Sequence, residues 1–191
     1  VIRLFLLLTW ITSLSAEVYP VDITPPDINQ TIGNIKILDQ KEIILDSING
    51  IRFAEASDLA YDAKANRLYM VGDKGSLYVF DLHLGEQIDT LTPLEAYPIT
   101  KAGGKHFKSK KVDTEGLALD DKGRLLISFE RKPKIGAFDT QGRRIIRYTL
   151  PQKIRNPKRY RSRNKMLESV AYHPRYGILT ASELPLKKKS R

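Results

Sequence analysis

Asp113-Thr114-Glu115-Gly116-Leu117-Ala118-Leu119-Asp120-Asp121-Lys122-Gly123-Arg124-Leu125-Leu126-Ile127-Ser128-Phe129-Glu130 reads as a β-hairpin. An apolar strand at Leu117–Leu119 meets an Asp-Asp-Lys-Gly turn, a second apolar strand runs from Leu125 to Phe129, and a carboxylate stands at each open end. Because the two strands run back on each other, Glu115 and Glu130 are expected to be neighbours.

The same pattern is written twice more. Upstream stand Ser57-Asp58-Leu59-Ala60-Tyr61-Asp62, a turn at Ala63–Arg67, and Leu68-Tyr69-Met70-Val71-Gly72-Asp73. Downstream stand Glu168-Ser169-Val170-Ala171-Tyr172-His173-Pro174, a turn through Gly177, and Ile178-Leu179-Thr180-Ala181-Ser182-Glu183. The equivalent alanines Ala60, Ala118 and Ala171 lie 58 and 53 residues apart, and each second strand ends on an acid. Phe80-Asp81-Leu82-His83-Leu84-Gly85 and Phe138-Asp139-Thr140-Gln141-Gly142 also correspond, both phenylalanines lying 20 residues after their alanine. Self-similarity at this spacing marks a repeat architecture. Residues 53–91 hold four short strands with tight turns, residues 113–150 hold four more, and no stretch has the apolar spacing of a long helix. Four antiparallel strands per unit is a propeller blade, so the fold is expected to be an all-β propeller of four-stranded blades, of which the chain holds about three. The chain opens on Val and stops just past the third hairpin, and is read as part of a longer propeller.

Outward from the hairpins, residues 1–16 carry Arg3, the apolar run Leu4–Ile11 and small residues to Ala16, as a secretory signal does. The run is too short to span a bilayer, so no membrane span is expected once it is removed, and the product is expected in the periplasm or outside the cell. Residues 17–34, with Pro20, Pro25 and Pro26, read as a lead-in, and 35–191 as the partial propeller. Within 35–51 one or two strands are expected, and in a closed ring such a strand often completes the last blade. Two irregular inserts are expected, Thr92–Lys111 and Pro151–Lys165.

The chain has 41% apolar residues, enough for a real core in 191 residues, and no cysteine. A disulfide framework, a thiolate nucleophile and a zinc–thiolate site are therefore excluded. The formal charge is +10, and 20 of the 32 Lys and Arg residues fall between Lys101 and Lys165 against six acids there. Such a belt attracts anions. Tyr160 stands among the cations of the second insert, an interleaving seen in some nucleic-acid contacts. An exported chain rarely meets nucleic acid, and no nucleic-acid partner is expected.

In a propeller, the starts of the first strands (Ser57, Glu115, Glu168) and the ends of the second (Asp73, Glu130, Glu183) collect at one mouth of the channel. Like charges gathered there need compensation by a cation, basic neighbours or raised pKa values. A divalent cation fits, and calcium in particular, because it takes six to eight oxygen ligands in loose geometry and needs neither His nor Cys. Asp73, Glu115, Glu130, Glu168 and Glu183 are its expected ligands. Lys74, Arg131 and Arg163 are the nearby bases expected to meet an anionic substrate group. An acid at a strand end can equally accept backbone N–H bonds from the adjacent loop and hold one blade to the next. No Gly-x-Ser-x-Gly elbow is present, and His83, His106 and His173 sit in unrelated contexts, so a serine triad is not supported.

The run Asp113-Thr114-Glu115-Gly116-Leu117-Ala118 with Leu126-Ile127-Ser128-Phe129-Glu130-Arg131, and the run Arg163-Asn164-Lys165-Met166-Leu167-Glu168-Ser169-Val170-Ala171 with Ala181-Ser182-Glu183, resemble the phytase-like family of exported bacterial proteins, also called esterase-like proteins of the phytase family. Ala56-Ser57-Asp58-Leu59-Ala60-Tyr61-Asp62 resembles that family's opening blade motif. The chain departs from the family pattern in having no glycine at 165–167 and in placing Ser57 where the other units have an acid. The resemblance implies a six-bladed propeller, an envelope or extracellular location, and an ester or phosphoester hydrolase. On that reading Glu115, Glu130, Glu168 and Glu183 are the catalytic carboxylates acting on a small anionic or ester substrate. The alternative is a non-catalytic propeller that binds an envelope polymer, a protein or a small anion through its loops.

Overall fold

A computed structural model describes residues 17–26, 31–108 and 112–187. The expected signal segment 1–16, Lys110 and Lys111 of the first insert, and the basic tail from Lys188 lie outside the described residues. Among the described residues no helix is long and apolar enough to cross a membrane.

The protein is all-β, with antiparallel sheets none of which closes on itself. At the N-terminus β1 (Glu17–Pro20) pairs with β4 (Lys41–Ile44), while β2 (Thr31–Ile32) and β3 (Ile35–Lys36) form a hairpin, as do β5 (Ser47–Ile48) and β6 (Ile51–Arg52). Strand pairing thus begins at Glu17, within the segment expected as a lead-in, and residues 35–51, expected to hold one or two strands, hold three short ones and the start of a fourth. Val18 stands opposite Ile43, and such a β-branched cross-strand pair gives β4 a local partner.

Two four-stranded meanders follow. The first is β7 (Ala56–Asp62), β8 (Arg67–Gly72), β9 (Ser76–Leu84) and β10 (Ile88–Pro98). The second is β11 (Thr114–Leu119), β12 (Leu125–Phe129), β13 (Lys134–Phe138) and β14 (Arg144–Arg147). A third pair, β15 (Ala171–His173) and β16 (Gly177–Leu179), is extended by a bridge between Leu167 and Ser182. The strand β10 is longer than the sequence suggests, since Thr92–Pro98, expected as irregular, continues to pair with β9. It tolerates Pro93 and Pro98 because it is an edge strand with a bulge between Pro93 and Glu95. In the second insert a short helix, α1 (Gln152–Arg155), precedes a turn of 3-10 helix.

The turns of the second sheet follow from one side chain each. Asp120 Oδ1 accepts the N–H groups of Lys122 and Arg124, both at 2.9 Å, and its other oxygen holds the Arg124 guanidinium. Asp139 does the same for Gln141 and Arg143. Each turn has its glycine in the left-handed region, Gly123 at φ 70° and Gly142 at φ 73°.

Burial explains why the sheets stack. In β8, Tyr69 and Val71 face the second sheet, where they join Leu117, Leu125, Ile127, Phe129 and Phe138. The alternate residues Leu68 and Met70 face the N-terminal segment with Ile48, Tyr78 and Phe80. On the other side of β12, Leu126 packs with Ile135, Tyr160, Met166, Leu167 and Val170. Each central strand is thus apolar on both faces because each sheet lies between two neighbours. The first strands β7, β11 and β15 lie side by side, β11 in the middle.

Candidate functional site

One backbone bond recurs at the ends of the three hairpins. The N–H of Asp73 donates to the carbonyl of Glu55 at 3.1 Å, that of Glu130 to Asp113 at 2.9 Å, and that of Glu183 to Met166 at 3.1 Å. Each acid after a second strand is thereby fixed against the residue before the first strand. In the same place each first strand carries one extra residue. Ser57 is extra between the pairs Ala56–Gly72 and Asp58–Val71, and Glu115 with Gly116 stands opposite Ser128 alone. Residues 168–170 likewise stand opposite 180 and 181. Bulges of this kind redirect a side chain and end the regular alternation. They explain why Glu115 lies within β11 and still reaches Glu130.

The carboxylates meet in two sets that share one member. Asp113, Glu115 and Glu130 bring one oxygen each within 4.8 Å of one another, and so do Glu130, Glu168 and Glu183. Glu130 is the hub, 4% exposed, with Asp113 buried and Glu115 half-buried beside it. Glu168 and Glu183 complete the group from the exposed side. Asp73 is in neither set; it sits beside Glu55, and its Oδ1 is buried with no hydrogen-bond partner among the described residues. Ser57 brings no acid to the group.

The electrostatics follow from crowding. Burial, then the charges of Glu168, Asp113 and Glu130, push the Glu115 carboxyl up to about 7. Burial also pushes Glu130 up to about 7, against the N–H of Met166 and with the charges of Asp113 and Glu168. Glu168 is raised by burial and by Glu183, and Asp73 by burial and by the Glu55 carboxyl beside it. Negative charges this close in a half-dry site do not all ionise together near neutrality.

Three bases stand at the rim, each paired with an acid. Arg131 Nε lies 3.0 Å from Asp113, Lys74 Nζ 2.6 Å from Glu55, and Lys165 is bound to Glu183. Arg163 is exposed and lines a different cavity, with Lys158, Tyr160 and Arg161, in which none of the carboxylates takes part.

The cluster rests on a close approach of backbones. A Cβ on Gly116 would fall 2.4 Å from the amide nitrogen of Val170 and 2.7 Å from the carbonyl carbon of Ser169. Only glycine lets β11 come this near to the third hairpin. Its N–H donates to buried Ser128 Oγ at 2.8 Å. On the opposite side Leu117 N–H donates to Asp58 Oδ2 at 2.8 Å, and the Thr114 hydroxyl donates to the carbonyl of Gly72 at 2.5 Å.

Asp113 and Glu55 belong to this region and are absent from the ligands expected above. Their signal was present, because both stand two residues before the position shared by Ser57, Glu115 and Glu168. The histidines stay apart. His173 accepts from Arg175 N–H in its turn, His83 pairs with Asp81, and His106 is an exposed loop residue. Tyr160 is 2% exposed and donates its hydroxyl to the carbonyl of Ile154, so its ring belongs to the core.

An all-oxygen set of acids suits a hard divalent cation and leaves nothing for a soft one. The residues fit such an ion, since in each set three carboxylate oxygens lie within 4.8 Å of one another. A family model described as "Phytase-like: Esterase-like activity of phytase" matches residues 51–191. No curated protein matches the chain.

Proposed function

The chain belongs to the phytase-like family, and from that premise we propose an exported hydrolase of phosphate or carboxylate esters. Its four-stranded sheets are then successive blades of a β-propeller, with the site at the channel mouth. The observation that carries this reading is the convergence on Glu130 of carboxylates from the second sheet and the third hairpin. The signal-like pattern of residues 1–16 supports export.

Glu115, Glu130, Glu168 and Glu183, joined by Asp113, would hold a divalent cation, calcium being the ion suited to them, while Asp73 stands outside both sets beside Glu55. A cation bound there supplies Lewis acidity toward the ester oxygen and toward water. Burial and the neighbouring carboxylates push the Glu115 carboxyl up to about 7, so binding a cation there would release its proton. Arg131 and Lys74 would exchange their acidic partners for the anionic group of the substrate. Arg163 would act farther out, on the wall of its own cavity. The test is hydrolysis of a chromogenic phosphate ester and a chromogenic carboxylate ester, with calcium and with chelator. Turnover that chelator abolishes supports the reading; background rates in both conditions overturn it.

A second reading rests on the internal bonding of the cluster. Glu130 accepts a backbone N–H from the next hairpin, and three acids already have basic partners. A non-catalytic envelope propeller that recognises an anionic or protein ligand would use the same acids as ties between blades. It predicts saturable, salt-sensitive binding with no turnover under any metal.

A further inference from the structure

A second concavity lies on the second sheet, and its chemistry is the reverse of the carboxylate cluster. Lys101 and Lys108 come from the loop after β10, Lys132 and Lys134 from the β12–β13 turn and the start of β13, and Arg144 and Arg147 from β14. Together they line a cavity of about 350 Å3, within the usual 300–1,000 Å3 of small-molecule sites. No carboxylate lines it among the described residues.

The cations are placed there by backbone features. In β14, Arg144 stands opposite Phe138, Ile146 opposite Ala137 and Arg147 opposite Gly136, so Ile145 is the extra residue of a bulge. Phe138 and Gly136 share one face of β13, and the bulge brings both arginines onto that face. Lys134 is on the same face. Gly136 keeps the floor low, since a Cβ there would come 2.9 Å from the Phe138 ring and 3.4 Å from Arg144 Cδ. The loop is held to the sheet edge, with Thr100 N–H donating to Gly142 and Arg144 N–H to Thr100, at 2.8 and 3.0 Å. Lys101 N–H then closes the loop on Lys105.

Aromatic faces keep this many cations together. Lys134 Nζ lies 4.0 Å from the centre of Phe129 and 4.6 Å from that of Phe107. Lys101 and Arg144 also approach Phe107, at 5.6 and 5.7 Å. Ring quadrupoles soften the repulsion, and with no carboxylate lining the cavity among the described residues the outward field stays positive. Burial, then Arg144, Arg147, Lys132 and Lys101, bring the Lys134 ammonium down to about 8. An arriving anion relieves that repulsion.

We propose that this cavity binds a compact multivalent oxyanion at a site separate from the carboxylate cluster. One small monovalent ion reaches few of the lining cations, whereas several linked oxyanion groups meet both arginine forks and the lysines at once. The inference does not depend on hydrolysis, because it concerns residues outside the proposed catalytic group.

The test is calorimetric titration of the protein, in metal-free buffer, with tripolyphosphate, citrate and inorganic phosphate. Tripolyphosphate and citrate are expected to bind at one site, inorganic phosphate at least about tenfold more weakly, with affinity falling steeply between about 50 and 200 mM salt. Lys132→Gln with Arg147→Gln is expected to weaken tripolyphosphate at least about tenfold. Both side chains are exposed, and an unchanged urea midpoint checks that the fold is kept. Lys158→Gln with Arg161→Gln on the second insert, and Glu115→Gln with Glu168→Gln, are expected to leave binding within about twofold. Absence of binding, equal affinity for inorganic phosphate, or equal loss from the second-insert variant would overturn the proposal.

Discussion

Glu130 Oε1 accepts the backbone N–H of Met166 at 2.9 Å, so the hub of the carboxylate cluster also ties the second sheet to the third hairpin. Truncating that side chain leaves a buried donor without a partner, at a cost of about 1–3 kcal/mol. Glu130→Ala is expected to lose that much in urea unfolding. Glu130→Gln keeps an acceptor at the same place and is expected to stay within about 1 kcal/mol of the parent. On the hydrolase reading both lose cation-dependent turnover, which separates the tie from the chemistry.

Gly116 and Gly123 give opposite reasons for being glycine. At Gly116 a methyl group meets the backbone of Ser169 and Val170, which belong to another hairpin and cannot move aside singly. At Gly123 the space is open and only the φ of 70° opposes a side chain. Gly123→Ala is expected to cost about 1–2 kcal/mol. Gly116→Ala is expected to cost more than about 3 kcal/mol, or to prevent folding, and to separate Glu115 from Glu168. Denaturant midpoints of the two variants check the order.

Stability should fall as pH rises through neutrality. In the folded chain Glu115 and Glu130 keep their protons up to about 7, whereas an unfolded glutamate releases its proton near 4.5. Between those values the folded state binds more protons, so unfolding free energy decreases with pH. The stabilisation is complete below about pH 4.5 and is lost through about pH 7. Solvent screening at half-buried Glu115 keeps the sum on the order of 1–3 kcal/mol. Groups held low, such as Asp39 and Asp120, act below this window, and Lys134, at about 8, acts above it. Thermal unfolding is expected at a lower temperature at about pH 7.5 than at about pH 5. Calcium is expected to raise it more at the higher pH, because protons compete for the same oxygens.

Much of the fold was legible because each hairpin is written by local chemistry. The Asp-x-x-Gly-Arg turns and the continuous apolar runs of β8 and β12 set the pairing, and pairing sets which acids end side by side. The bulges were not legible, since an extra residue at Glu115–Gly116 or at Ile145 leaves no mark in composition. The first bulge joins Glu115 to Glu130 and the second puts Arg144 beside Arg147. Asp113 stands outside the apolar strand in sequence, and it is the backbone bond from Glu130 that draws it into the cluster. The partners of Lys74 and Arg131 likewise depend on side-chain reach, which spacing along the chain does not give.

The most direct test of the central claim, that the second sheet and the third hairpin build one cation site, is calorimetric titration of calcium at about pH 7.5 into the protein and into Glu115→Gln with Glu168→Gln. The account predicts one saturable site in the parent and a loss of at least about tenfold in affinity in the double variant. No calcium binding by the parent, or the same affinity in both proteins, would contradict it.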